Sequence, residues 1–129
     1  MGKGRAADEG TKARGDAAEA QALAWLLERG LTLVQRNYRV ARGPNARGGE
    51  IDLVMRDADG TLVFVEVRAR ASASHGGAAA SVSAAKQRSL VLAARHFLAR
   101  QASPPACRFD VLAIDGDRVQ WLQAAFDAA

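Results

Sequence analysis

The run "GGEIDLVMRDADGTLVFVEVRAR", residues 48–70, carries three side chains whose types suit chemistry on a phosphate: Asp52, Glu66 and Arg68. Both carboxylates stand inside otherwise apolar strand sequence. If they meet, they suit a hard divalent cation, because Mg²⁺ takes one or two protein carboxylates and completes its shell with water and substrate phosphate. The arginine offers a planar, bidentate fork for phosphate oxygens. Whether they meet depends on the hairpin that joins their strands. With Ala58-Asp59-Gly60 as a three-residue loop and Gly60 in the left-handed bulge position, Asp57 pairs with Thr61. Carried back, this register sets Met55 opposite Val63, Leu53 opposite Val65 and Ile51 opposite Val67, a wholly apolar face expected to be buried. The other face pairs Val54 with Phe64, Asp52 with Glu66 and Glu50 with Arg68. An ordinary solvated face with a Glu50–Arg68 ion pair explains the arginine. It leaves Asp52 against Glu66 unexplained, since like charges directly opposite, about 4.5–5.5 Å apart at Cβ, repel.

The elements that must position these groups are legible from periodicity. The 129 residues, 49% hydrophobic, fit a single domain. Residues 1–14 are Gly-rich and mixed in charge without apolar periodicity, and read as a disordered basic leader before a domain over 15–129. Ala18, Ala22, Trp25 and Leu26 predict a first helix over 16–29, with Gly30 as its stop. "LTLVQRNYRV" reads as a strand, "ARGPNARGG" as a loop, and the hairpin follows. Ser83 caps a second helix with Leu90, Ala94, Phe97 and Leu98 on one stripe. "CRFDVLAID" and "RVQWL" are strands joined across "DGD". Helix, three strands, helix, two strands predicts a mixed α/β or α+β domain with helices on a central sheet.

Composition narrows the partners. The lone Cys107, with only His75 and His96 to join it, forms neither a disulfide nor a zinc cluster, which fits a reducing cytoplasm. No run approaches the roughly 18 apolar residues of a membrane span, so a soluble, cytoplasmic protein is expected. The net charge is +4 and the pI near 10.0, and only Lys3, Lys12 and Lys86 of the 18 basic residues are lysine. Nucleic acid is then a natural partner, and codon bias toward Arg and Ala is the competing explanation. Arg36, Arg39, Arg42 and Arg47 surround the approach to Asp52 as phosphate-contact candidates, with plain surface charge as the alternative. Asp110, inside a strand, is expected to pair with Arg108 or Arg70. Trp25 and Trp121 read as core, and His75 as a loop side chain.

An Asp on one strand followed by Glu-x-Lys on the next is the metal-binding core of restriction-endonuclease-like nucleases, and Asp52 with Glu66-Val67-Arg68 resembles it. More narrowly, "GGEIDLVMR", "VFVEVRAR", "GGAAASV", "KQ" and "CRFDV", in this order between about Gly15 and Phe126, resemble the YraN-type bacterial family. That family is related to archaeal Holliday-junction resolvases and shares a tRNA-endonuclease-like domain. The resemblance implies a restriction-endonuclease-like sheet flanked by helices. It further implies Asp52 and Glu66 as ligands of Mg²⁺ or Mn²⁺, the Val67 carbonyl as a further ligand, and phosphodiester hydrolysis by a metal-activated water.

Glu19 matches an acidic residue on the relatives' first helix, as a metal ligand, a water-orienting group or a plain helix carboxylate. Glu50 supports the site or forms a salt bridge. Arg68 departs from the pattern's Lys; it stays protonated and serves best as a phosphate clamp. Lys86 could supply the missing ammonium or be a solvated helix residue. Gln87 and Arg70 join the nucleic-acid contacts. The implied activity is a metal-dependent endonuclease on structured or branched DNA, the alternative a non-catalytic nucleic-acid-binding module. A homodimer is expected only because resolvases act on two strands.

Overall fold

Alternating apolar positions in five segments build one mixed sheet with a helix on each face. The structure, a computed structural model, describes residues 3–41, 43, 48–69 and 82–128. The elements are α1 (Lys3–Glu28), β1 (Thr32–Val40), β2 (Gly49–Arg56), β3 (Leu62–Ala69), α2 (Ala84–Ala99), β4 (Cys107–Asp115) and β5 (Arg118–Phe126). The sheet order is β1-β2-β3-β4-β5, antiparallel throughout except for the parallel β3–β4 pair that α2 connects. This α+β arrangement has the predicted element order and fits a restriction-endonuclease-like architecture. No described helix is long and apolar enough to cross a membrane.

The hairpin closes as the turn chemistry requires. The Asp57 amide donates to the Thr61 carbonyl at 2.9 Å, and Gly60 takes φ +92°, a left-handed value that glycine adopts without a Cβ clash. Its ladder runs through Arg56↔Leu62, Met55↔Val63, Val54↔Phe64 and Leu53↔Val65 and there ends. Leu53, Met55, Val63 and Val65 pack with Ala18, Ala22 and Leu26 of α1. Val54 and Phe64 pack with Leu90, Ala94 and Phe97 of α2.

Four expectations are corrected. Asp52 is not a ladder partner of Glu66, since the β2–β3 register ends at Leu53↔Val65. Ile51 joins the α2-side cluster with its partner Tyr38 instead of sharing a face with Leu53; Asn37, between the Arg36↔Leu53 and Tyr38↔Ile51 pairs, has φ +51°. Glu50 lies opposite Arg39 of β1 and not Arg68, since the β2–β3 ladder stops before reaching it. The helix begins at Lys3, not at residue 16. Residues 3–14 hold three Ala, two Lys, two Arg and one Glu, which favour helix, against two Gly, and they carry no apolar stripe for periodicity to mark.

Asp110 is buried at 0% exposure and fully engaged. It accepts from Arg108 Nε, Trp121 Nε1 and the Ala124 amide at 2.9–3.2 Å, while Arg108 also reaches Asp57 at 2.8 Å. Of the two expected partners, Arg108 is the one found; Arg70 lies outside the described residues. This network ties the hairpin end of the sheet to β4 and β5. Trp25 and Trp121 meet edge-to-face at 5.6 Å, half-buried beside α1.

The seat of α2 is set by Gly49. A Cβ there would stand 2.5 Å from the Ser89 carbonyl oxygen and 2.9 Å from the Ala93 amide nitrogen, both backbone atoms that cannot turn aside. Gly49→Ala should therefore destabilise the domain by about 2–3 kcal/mol, the upper range for an overpacked core. A urea midpoint unchanged from wild type would show that α2 does not approach β2 this closely.

Candidate metal and phosphate site

The site lies where β2 and β3 part. Beyond Leu53 and Val65 the two backbones no longer pair, and the Asp52 side chain takes the place of the missing acceptor: its Oδ2 receives the Val67 amide at 2.9 Å. A carboxylate inside an apolar strand is thus held by the backbone it faces.

Glu66 is the deeper acid, 2% exposed. Its Oε2 is approached by two cations, Arg68 Nη1 at 3.5 Å and Lys86 Nζ at 3.7 Å. Its Oε1 is buried without a hydrogen-bond partner. Burial pushes the Glu66 carboxyl up to about 8, the negative charge of Asp52 adds to the rise, and Lys86 and Arg68 work against it.

Lys86 arrives there for local reasons. Ser83 accepts the Lys86 amide at 3.1 Å and caps α2, fixing the first turn. A cation in a first turn faces the positive end of the helix dipole and is disfavoured there. Glu66 Oε2, 3.7 Å from the ammonium, offsets that placement once Glu66 is ionised.

On the other side of Asp52 stands Glu19 of α1, itself buried at 8% exposure. Burial raises its pKa first and Asp52 second, while Arg36 and Asn37 lower it. Asp52 therefore acts on acids from both faces of the sheet. A cleft of about 330 Å³ opens here, its lining including Asp16, Glu19, Asn37, Arg39, Glu50, Asp52 and Val67.

The candidates thus fall into groups. Asp52, Glu66, Arg68 and Lys86 come together. Glu19, Glu50 and Val67 border the same cleft. Arg36 pairs with Glu19 at 3.5 Å and Arg39 with Glu50 at 2.8 Å, so both face site acids in the free protein. Gln87 donates to the Val82 carbonyl at 3.2 Å in the α2 cap. Arg42, Arg47 and Arg70, with His75, lie outside the described residues. Among the described residues no three potential metal ligands converge on one point; Glu19 and Glu66 approach Asp52 from different sides. Asn37 escaped the sequence reading, although an Asn within a strand run is depleted enough to have marked it.

The donor set suits a hard cation. An unpartnered, buried Glu66 oxygen beside Asp52 presents only oxygen ligands, the chemistry of Mg²⁺ or Mn²⁺ rather than of zinc or copper.

Fold and site together describe an α+β domain that fits a restriction-endonuclease-like arrangement, with Asp52 and Glu66 where β2 and β3 part and an acidic cleft beside Asp52. The chain belongs to the family described as Uncharacterised protein family UPF0102, the YraN-type family, whose profile matches residues 18–114. It is 69% identical over 119 residues to a UPF0102 protein of Methylibium petroleiphilum, covering 92% of this chain and 98% of that protein. It is 63% identical over 118 residues to a UPF0102 protein of Paracidovorax citrulli, covering 92% and 85%.

The raised Glu66 pKa makes stability depend on pH. The folded value near 8 exceeds the ordinary 4.5, so the contribution of neutral Glu66 is complete below about pH 4.5 and is lost as pH rises through about 8. Without divalent cations, the wild-type Tm should fall across that window, whereas Glu66→Gln should largely abolish the fall. Parallel wild-type and variant Tm curves by calorimetry would mean that Glu66 titrates like an exposed acid.

Proposed function

We infer that this protein is a divalent-cation-dependent phosphodiester hydrolase, an endonuclease acting on structured or branched DNA. The observation that carries the reading is the buried Glu66 oxygen without a partner beside Asp52, bracketed by Lys86 and Arg68. Asp52, Glu66 and the Val67 carbonyl would hold Mg²⁺ or Mn²⁺, with Glu19 available through the cleft. A cation bound there supplies Lewis-acid activation of a water and charge neutralisation at the scissile phosphate.

The chain's own groups divide the remaining tasks. Lys86, an ammonium held at a buried carboxylate, orients the attacking water, the role the nuclease pattern gives to the lysine that Arg68 replaces. Arg68, two residues beyond Glu66 on β3 and partly exposed, clamps a non-bridging phosphate oxygen through its fork. Arg36 and Arg39 flank the cleft, where they extend the phosphate track. The preference for branched DNA follows the resemblance to resolvases, and a homodimer acting on paired strands would suit it.

The test is a cleavage panel of duplex, single-stranded, flap and four-way-junction DNA with Mg²⁺ or Mn²⁺, run beside binding assays at several salt concentrations. Asp52→Ala should abolish cleavage. Lys86→Ala should slow it by roughly 100-fold, a typical loss for a positioned proton-transfer or water-orienting group, with DNA affinity nearly intact. Arg68→Ala should weaken both, and Arg68→Lys should be milder. Wild type that binds DNA with a steep salt dependence yet cleaves nothing in the panel would leave a non-catalytic binding module. No salt-sensitive binding at all would overturn both.

A further inference from the structure

Residues two apart on a regular strand share a face, and residues three apart do not. On β1 this rule fails within four residues. Arg36 meets Glu19 of α1 at 3.5 Å, whereas Tyr38 belongs to the α2-side core and stacks edge-to-face on Phe97 at 5.2 Å. Arg39, three residues from Arg36, is back at the acidic cleft, 2.8 Å from Glu50.

An inserted residue is not the cause. The β1–β2 register runs without a shift through Arg36↔Leu53, Tyr38↔Ile51 and Arg39↔Glu50; the only shift lies upstream, between Leu33 and Gln35. What lies between Arg36 and Tyr38 is Asn37, at φ +51°, in the left-handed region. Asn enters that region more readily than other residues with a Cβ, and a β-branched residue is a genuine outlier there. Asn37 stands at the register position facing Asp52, lines the same cleft, and its side-chain amide favours the charged form of Glu19. Strained backbone of this kind concentrates at functional sites.

We propose that Asn37 is a positioning residue that assembles the acidic cleft: its left-handed backbone turns β1 over, setting Arg36 and Arg39 together against Glu19 and Glu50 while Tyr38 pins the strand to α2. The role of the cleft rests on the cation-binding reading above; the turning-over of the strand does not. Three substitutions separate conformation from side chain. Asn37→Gly keeps the left-handed backbone, Asn37→Ala disfavours it, and Asn37→Val opposes it most strongly.

Two readouts decide the matter. The first needs no cation: nuclear Overhauser contacts between the Tyr38 and Phe97 rings should persist in wild type and Asn37→Gly and vanish in Asn37→Val, or in Asn37→Ala should the valine variant not fold. The second is Mn²⁺ affinity by calorimetry at a temperature where each variant is folded. Asn37→Gly should stay within about threefold of wild type, and the branched or alanine variant should lose on the order of tenfold. Leu122→Ala, a destabilised control in β5 away from the cleft, should keep wild-type affinity despite a lower Tm. If the ring contacts and the affinity both survive in Asn37→Val, or if Asn37→Gly loses as much as Asn37→Val, Asn37 does not position the cleft. Wild type that binds no Mn²⁺ while its ring contacts respond as described would instead remove the cation reading and leave the turn of the strand standing.

Discussion

The Glu66 carboxylate, buried beside a second carboxylate, is the constraint to which the surrounding elements answer. An isolated ionised acid in a protein interior is strongly disfavoured, and a like charge nearby makes it more so. The protein meets this from three directions. Arg68 follows two residues later on the same strand, Lys86 is carried in by α2, and the free acid retains a proton to an unusually high pH. Removing either cation would leave the remaining charges poorly matched, and the helix that bears Lys86 is also seated closely on β2. The backbone of α2 passes so near Gly49 that no side chain fits between them.

Opening the sheet at this point requires that no backbone group be orphaned. When β2 and β3 part beyond Leu53 and Val65, the Val67 amide would lose its ladder partner; Asp52 supplies one from its side chain. The same side chain that satisfies the fold therefore places a negative charge between Glu19 and Glu66. Structural and chemical roles converge on one carboxylate. A neutral isostere at position 52 could preserve the hydrogen bond and still remove the charge that both neighbouring acids feel.

How much of this was legible in the sequence follows from the range of the interactions involved. The hairpin register near the turn, the Ser83 cap and the Arg108–Asp110 pair are set by residues close in sequence, and each was readable. Lys86 stands out in the sequence as one of only three lysines, but its distance from Glu66 needed tertiary packing to define. The pairing of Asp52 with Glu66 was read as a direct cross-strand opposition, whereas the strands have already separated there. A register argument assumes that pairing and alternation continue; for Glu50 the β2–β3 ladder ends first, and for Ile51 the alternation breaks beside the left-handed Asn37 of the neighbouring strand. The extra turns of α1 before residue 16 carry no apolar stripe, so the pattern that revealed the rest of that helix had nothing to act on.

The arginines around the cleft take a different meaning once their partners are known. Counted in the sequence, Arg36 and Arg39 are surplus positive charge; in the fold each faces a carboxylate, and the side chain of Arg39 is well exposed. The Arg39–Glu50 pair is exposed and contributes about 0–1 kcal/mol, so little opposes its exchange for another anion, whereas the acid that Arg36 faces is buried. A polyanion entering the cleft would meet arginines already oriented by Glu19 and Glu50, and a cation entering beside Asp52 would compete for those same carboxylates. Charge taken by one partner is charge released to the other. The two kinds of ligand would thus favour each other through a shared set of ion pairs, and the strand that holds both arginines on one side, by way of Asn37, is what makes that exchange geometrically available.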